Sequence, residues 1–257
     1  MKILVALKQV PDTETKIKVA ADGKSLDGSD VKWITSPYDE YALEEALRLK
    51  EAMGAEVTAV SVGGEKAKDV LRSALALGID FAVLVKSEET GDPLVIARTL
   101  AAFAKDKAFD LVFLGNKGFG GDNACVGPML AELMGMAQAN VVTKLEVMEG
   151  SFRAEREGDA GTEIVEGSLP AVITAQRGLN DPRYANLKGI MAAKKKPMQV
   201  MSCADAGIDT SLVGLANAAT EVVDFAERPP REAGTIVKDE GDGGSKVAEF
   251  LVTQKFI

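Results

Sequence analysis

The sequence predicts an α/β protein: a doubly wound, mostly parallel sheet, an antiparallel extension of that sheet, and an extended C-terminal arm. Three observations predict it. Up to about residue 136, apolar runs of strand length alternate with helix-like segments across short connections, as strand–helix–strand units do. After about Asn140 the helical spacing stops, and four strand-like stretches follow one another through polar turns. From Pro197 onward apolar density falls and Pro and Gly punctuate the chain, so this part cannot build a core alone.

The elements follow in order. Residues 3–7 form an unbroken apolar run, as expected of a strand covered on both faces. Residues 10–13 leave it as a loop. Residues 16–19 alternate charged and apolar side chains before the turn-like 21–24, which predicts a small hairpin, and 31–34 read as a further short strand. Ser36, Pro37, Tyr38, Asp39 and Glu40 open a helix, with a serine cap, proline at the first helical position and acids in the first turn. Tyr41, Leu43, Ala46, Leu47 and Leu49 form its apolar face, and Gly54 ends it. Strands at 56–62, 81–86 and 111–114 then alternate with helices at 66–77, 92–107 and about 124–136. Strands at 141–149, 152–157, 162–166 and 170–176 make the extension, and 152–157 alternate as if one face were solvated. Residues 245–254 close the chain as a short helix or strand. The expected division is a body at 1–196 and an arm at 197–257. Within the arm, 227–231 and 240–244 read as linkers, and it either crosses the body or wraps a partner.

Composition excludes several chemistries. The chain has 257 residues, a formal net charge of -9 and 46% hydrophobic residues. That length supports a full core. The acidic balance argues against nucleic acid and against an anionic membrane surface as partners. There is no histidine. A Ser-His-Asp triad, a Cys-His pair and a His-ligated metal are therefore excluded. With Cys125 and Cys203 the only cysteines, a disulfide framework or a four-thiolate site within one chain is excluded too, and a reducing compartment fits. The N-terminal apolar run is too short for a signal sequence, and no run reaches transmembrane length. A cytoplasmic protein without membrane insertion is the expectation.

Ligands of open α/β sheets bind beyond the C-terminal strand ends, where the strand order reverses. Three segments can converge there: 6–13, 36–39 and 115–127. The third holds Gly115, Gly118, Gly120 and Gly121, which allow close backbone approach. The helix after it offers free N–H groups and a positive dipole end to a phosphate. The loop matches neither standard phosphate-loop spacing, so a plain tight turn remains the alternative. Asp122 either caps that helix or holds a ribose hydroxyl, and capping is the better reading from the residues alone. Cys125 stands at the expected helix start but has no histidine base, which argues against a nucleophile. No pair of acids stands out as general acid and base.

The stretch 169–196 (LPAVITAQRGLNDPRYANLKGIMAAKKK) is the most distinctive. Residues 169–174 read as a buried strand, 179–182 as a turn in which Pro182 can open a helix, and the rest as an apolar patch closed by three lysines. Its Leu-Pro-Ala-Val, Leu179-Asn180, Pro182-Arg183-Tyr184, Leu187, Ile190-Met191 and Lys194-Lys195-Lys196 resemble the signature of the electron transfer flavoprotein beta-subunit family. The N-terminal KILVALKQVPD, the PYDEYALEEALRLK helix, the ALALGID segment and the PPREAG tail resemble the same family, so the likeness covers the whole chain.

The resemblance implies an adenine-nucleotide-binding fold and a heterodimer with an alpha subunit that carries most contacts to a redox-active FAD. It implies an electron carrier without catalytic residues of its own. Electrons pass from acyl-CoA-type dehydrogenases to a quinone oxidoreductase or another acceptor. AMP is the implied nucleotide, and FAD replaces it in electron-bifurcating members. The implied pocket comprises Ala6, Ser36, Pro37, Tyr38, Asp39, Val62, Gly121, Asp122, Asn123, Ala124, Cys125, Val126, Gly127, Pro128 and Met129. The implied docking loop is Tyr184, Ala185, Asn186, Leu187, Lys188, Gly189, Ile190 and Met191, with Leu187 as the anchor. Glu157 is the implied contact that holds the flavin domain at rest. Family members often carry a run of aspartates in the phosphate loop, where this chain keeps Asp122 alone, so backbone N–H groups should dominate there. A universal-stress-type nucleotide-binding regulator is the alternative on this architecture.

Overall fold

Strand-length apolar runs separated by helices become one nine-stranded sheet. The computed structural model describes residues 1–87, 92–227, 229–231, 233–234 and 236–257. In chain order the elements are β1 (Lys2–Ala6), β2 (Gln9–Pro11), β3 (Trp33–Thr35), α1 (Pro37–Met53), β4 (Glu56–Gly63), α2 (Lys68–Leu77) and β5 (Phe81–Lys86). There follow α3 (Pro93–Ala104), β6 (Leu111–Gly115), α4 (Val126–Met134), β7 (Ala137–Met148), β8 (Ser151–Gly158), β9 (Gly161–Ser168) and β10 (Ala171–Ala175). Then come α5 (Leu187–Ala193), β11 (Gln199–Ser202) and α6 (Gly243–Thr253).

The sheet order is β11-β5-β4-β1-β6-β10-β7-β8-β9. Strands β11 through β7 pair in parallel, while β7-β8-β9 pair antiparallel. One face packs against α1, α2 and α5 through residues such as Leu43, Leu47, Leu71 and Ala193; the other packs against α3 and α4 through Leu100, Phe103 and Leu130. Burial on both faces is why β6 and β10 read as unbroken apolar runs. Helices α1, α2 and α4 end at Gly54, Gly78 and Gly135, each in the left-handed conformation that glycine adopts without a Cβ clash.

The structure departs from the sequence expectations in several places. The hairpin expected at 16–24 is reduced to an isolated bridge between Val19 and Leu26. Of the segment read as a loop, 10–13, Val10 and Pro11 instead join Gln9 in β2, which pairs antiparallel with β3 in a separate two-stranded ribbon. Proline is tolerated on such a strand because the ribbon has a free edge on each side. The last expected strand of the extension, β10, returns into the parallel core between β6 and β7. Where β7 leaves that core its register shifts, and Val141 takes a left-handed conformation, its N–H donating to Thr174 Oγ1 at 3.0 Å. The body also continues past the expected boundary at 196, because β11 extends the sheet along β5 and Ile208 is buried against the α3 side. Parallel pairing of Gln199–Ser202 along residues 83–86 outweighs the low apolar content of that segment. In the expected linker at 227–231, Arg228 lies outside the described residues, as does Glu232 of the PPREAG tail.

Asp92 is one of the points that strap the arm to the body, beside the Phe225 N–H bond to Gly23 O and the Lys24–Glu221 pair. Asp92 caps α3 through Val95 N–H (2.9 Å) and also accepts Ala219 N–H (3.1 Å), Thr220 N–H (2.9 Å) and the Thr220 hydroxyl (2.7 Å). Burial alone would push this carboxyl up, and the four donors outweigh it, so it sits below the usual carboxylate range. Asp92→Ala is expected to destabilise the protein by about 2–3 kcal/mol, since it removes a cap and strands several donors. Faster limited proteolysis of the chain after residue 212, at unchanged cleavage elsewhere, is the measurement that checks it.

Candidate functional site

From β1 the sheet is built outward in one direction through β4 and β5, then in the other through β6, so the C-terminal ends of β1 and β6 part over a crevice. A cavity of about 300 Å³ opens there. Its floor is apolar, from Ala6, Val60, Val62 and Leu114; its rim carries Lys8, Lys117 and the backbone of the 115–127 loop. Residues such as Ile96 and Leu100 of α3 close one side, and Trp33 of the β2–β3 ribbon another.

One buried acid holds the two strand ends. Asp39, in the first turn of α1, accepts Lys8 N–H on Oδ2 at 2.7 Å and Gly115 N–H on Oδ1 at 2.8 Å. Burial pushes its carboxyl up to about 7, against the two N–H donors that favour the charged form. Gly115 has to be glycine here, because a Cβ would stand 2.5 Å from Asp39 Oδ1 and 2.6 Å from Tyr38 Cβ. Gly118 clears space in the same way for the Lys8 ammonium, which a Cβ would approach to 2.7 Å. The Lys117 ammonium lies 5.6 Å over the Tyr38 ring and 3.4 Å from Asp122 Oδ2.

The loop reaches α4 through two non-glycine residues in the left-handed region, Asp122 (φ 48°) and Ala124 (φ 51°). Such conformations cost about 1 kcal/mol or more for alanine. They turn the chain so that α4 starts at Val126, two residues later than expected, with Cys125 as the capping position and no side-chain cap bond. The reading of Asp122 as a helix cap is therefore corrected: Asp122 pairs with Lys117 instead. Cys125 Sγ donates to Asn123 O at 2.8 Å. The first-turn N–H groups of α4, next to the cavity-lining Val126 and Gly127, have no partner within the helix. Gly127 lies so close to Thr174 of β10 that any side chain would collide, which sets α4 tight on the sheet.

Of the residues expected at a pocket, the structure brings Ala6, Asp39, Val62, Gly121, Asp122, Asn123, Ala124, Cys125, Val126 and Gly127 around this one cavity. Ser36, Pro37, Tyr38, Pro128 and Met129 do not line it. Ser36 is fully buried behind it, its hydroxyl accepting Phe119 N–H at 3.4 Å. Lys8, Gln9, Asn116 and Lys117, which lie within the converging segments 6–13 and 115–127 but outside the residue set the resemblance implied, also line the cavity. Sequence reasoning missed Trp33. Nothing local marks Trp33, whose buried indole N–H has no hydrogen-bond partner among the described residues.

On another face, the second half of the distinctive stretch presents apolar side chains to solvent. Tyr184 is 97% exposed and Leu187 76%, with Ile190 and Met191 beside them. Pro182 does not open a helix, as the sequence suggested; α5 starts at Leu187, where Asn186 caps it by accepting Gly189 N–H at 2.8 Å. Lys196 leaves the patch and donates to Leu75 O (3.3 Å) and Ile79 O (2.9 Å), capping the end of α2 rather than of its own helix. Glu157 is exposed near the end of β8 and accepts from Gln176 Nε2 at 2.9 Å.

The family model for the electron transfer flavoprotein domain matches residues 25–206. Similarity to curated relatives runs nearly end to end. The chain is 41% identical over 248 residues to electron transfer flavoprotein subunit beta of Bradyrhizobium diazoefficiens, covering 96% of this chain and 97% of that one. The chain belongs to the electron transfer flavoprotein beta-subunit family. The Bacillus subtilis subunit beta is 40% identical, with 93% of each chain covered. The mitochondrial subunit beta of Arabidopsis thaliana is 39% identical over 92% of this chain and 93% of its own. An α/β body with a mostly parallel sheet and an antiparallel extension is thus the fold of an electron transfer flavoprotein beta subunit in this chain. No helix among the described residues is long and apolar enough to cross a membrane.

Proposed function

We propose that this chain holds AMP in the switch-point cavity and pairs with an electron transfer flavoprotein alpha subunit, the heterodimer carrying electrons from acyl-CoA-type dehydrogenases to a quinone oxidoreductase or another acceptor. The observation that carries this reading is the cavity itself: an apolar floor for a base beside a rim of two ammonium groups, glycine-loop backbone and a helix N-terminus for a phosphate. Its volume of about 300 Å³ suits a mononucleotide; a dinucleotide would leave its flavin half outside, which favours AMP over a second FAD. The FAD of the complex, when bound, supplies the redox chemistry. The residues of this chain position it: Glu157 is the proposed resting contact for the alpha chain's flavin domain, and the arm, with α6 exposing Val247, Phe250 and Val252, is the proposed wrap around that subunit.

The exposed segment Tyr184–Met191 is the proposed docking surface for the dehydrogenase. An almost fully exposed tyrosine and a largely exposed leucine in an acidic protein support it, since large apolar groups cluster at interfaces rather than in water.

Purifying the natural complex, releasing its nucleotides by heat and identifying them by mass tests the reading. One FAD and one AMP per heterodimer is the expected result. Two FAD would replace AMP by the bifurcating arrangement, and a colourless homodimer would overturn the proposal in favour of a nucleotide-binding regulator.

A further inference from the structure

The exposed docking segment is too short to hold its own shape. Seven residues of helix are marginal in water without tertiary support. Support comes from beneath. Asn180 Nδ2 donates to Tyr41 O (3.0 Å) and to Glu45 Oε2 (2.9 Å) on α1. Arg183 then spreads across two carboxylates of the same helix, two turns apart. Its Nε donates to Glu44 Oε2 at 2.8 Å, Nη2 to Glu44 Oε1 at 2.9 Å and to Glu51 Oε2 at 3.1 Å, and Nη1 to Glu51 Oε1. The Arg183 backbone N–H also donates to Glu44 Oε2, at 3.1 Å. Glu44 is buried, and this guanidinium is its ion-pair partner. On the far side, Arg72 Nη1 holds Ala193 O (2.6 Å) and Lys196 O (3.0 Å), and Gly189 sits directly against Ala76 O. The outward residues Tyr184 and Leu187 thus stand on a pinned base.

We propose that Arg183 is a positioning residue: through Glu44 and Glu51 it holds segment 184–193 in the shape that a partner protein docks on. This rests on the docking reading above. A pre-ordered surface binds more tightly because less conformational freedom is lost on association. The planar fork matters and not the charge alone, since lysine cannot engage two carboxylates in this geometry.

The test uses the full heterodimer carrying Arg183→Lys, with Leu187→Ala and Glu51→Gln beside it. Amide hydrogen exchange at 184–193 is expected to rise about tenfold in Arg183→Lys, with exchange in α3 and β6 unchanged. With a purified, substrate-reduced acyl-CoA dehydrogenase as donor, KM for the heterodimer is expected to rise about fivefold at unchanged kcat and nucleotide content. Glu51→Gln, which leaves the Glu44 fork in place, is expected to fall between wild type and Arg183→Lys and serves if Arg183→Lys does not fold. Leu187→Ala is expected to raise KM without changing exchange. If Leu187→Ala raises KM but neither Arg183→Lys nor Glu51→Gln moves exchange or KM, the positioning role is overturned and the docking surface stands. If Leu187→Ala leaves KM unmoved, the docking reading fails, and with it the inference that the ordering serves a partner.

Discussion

Gly115→Ala is expected to destabilise the protein by about 3 kcal/mol or more and to abolish retention of the proposed nucleotide, because one methyl strikes the residues that hold the crevice together. Its Cβ would stand 2.5 Å from Asp39 Oδ1, 2.6 Å from Tyr38 Cβ and 2.7 Å from the Tyr38 carbonyl carbon. The last of these is backbone and cannot rotate away. Relief requires α1 to lift from β6, which breaks the 2.8 Å bond from Gly115 N–H to Asp39 and loosens its partner bond from Lys8 N–H. Each donor left without a partner costs about 1–3 kcal/mol, and overpacking adds about as much. For a chain of this size, a fall in Tm of roughly 6–12 °C corresponds to the lower bound. Gly244→Ala, where none of the described residues lies within 4 Å of the added methyl, is the control and is expected to be neutral or slightly stabilising. Chemical denaturation and nucleotide stoichiometry of the two variants check the expectation; equal stability would mean that the crevice yields more easily than its backbone packing implies.

Asp39 should also make stability fall as pH rises. Its carboxyl is pushed up to about 7 by burial, while in the unfolded chain it titrates near the ordinary value of 3.8. Between those values the folded state binds a proton that the unfolded state has lost, so the contribution of this group is greatest below pH 4 and is gone above about pH 7. The full shift amounts to roughly 4 kcal/mol as an upper figure. Asp39→Asn removes the titration. It also replaces one acceptor by an NH2 that faces a backbone donor, so the variant is less stable at low pH. The expected result is a wild-type stability that drops by about 2–4 kcal/mol relative to Asp39→Asn between pH 4 and pH 7. Parallel profiles from urea denaturation at several pH values would show that the carboxylate stays ionised throughout. Other acids, such as Glu45, also raised by burial, and Glu51, lowered by Arg183, contribute to both proteins and cancel in the comparison.

The sheet was legible because its strands are buried on both faces and its helices carry their own stop signals. Residues 56–62, 81–86 and 111–114 became β4, β5 and β6 within a residue of the expected ends, and Gly54 and Gly78 closed helices as read, while α4 stopped at Gly135, short of the expected 136. The misses have a common cause. The β2–β3 ribbon joins residues more than twenty positions apart, with a proline in one strand, and nothing local marks that pairing. Strand β11 lies in a polar stretch and is a strand only because β5 offers it an open edge. The start of α4 moved because Asp122 and Ala124 turn left-handed, which alanine does only when its surroundings impose it.

By itself the sequence determined the fold class, the family and the location of the crevice, because periodicity, glycine placement and a dense local motif are written in neighbouring residues. The tertiary structure alone decided what those pieces do to one another. Asp39 had been a first-turn acid; the fold made it the buried acceptor joining two strand ends. Arg183 had been one letter of a motif; packing set it across Glu44 and Glu51, more than 130 residues away in the chain, so that Leu187 is held outward. Trp33 from the β2–β3 ribbon and Lys117 from the loop after β6 met at one cavity. Those relations depend on distances in space between residues far apart in sequence, and such distances are set when the core closes.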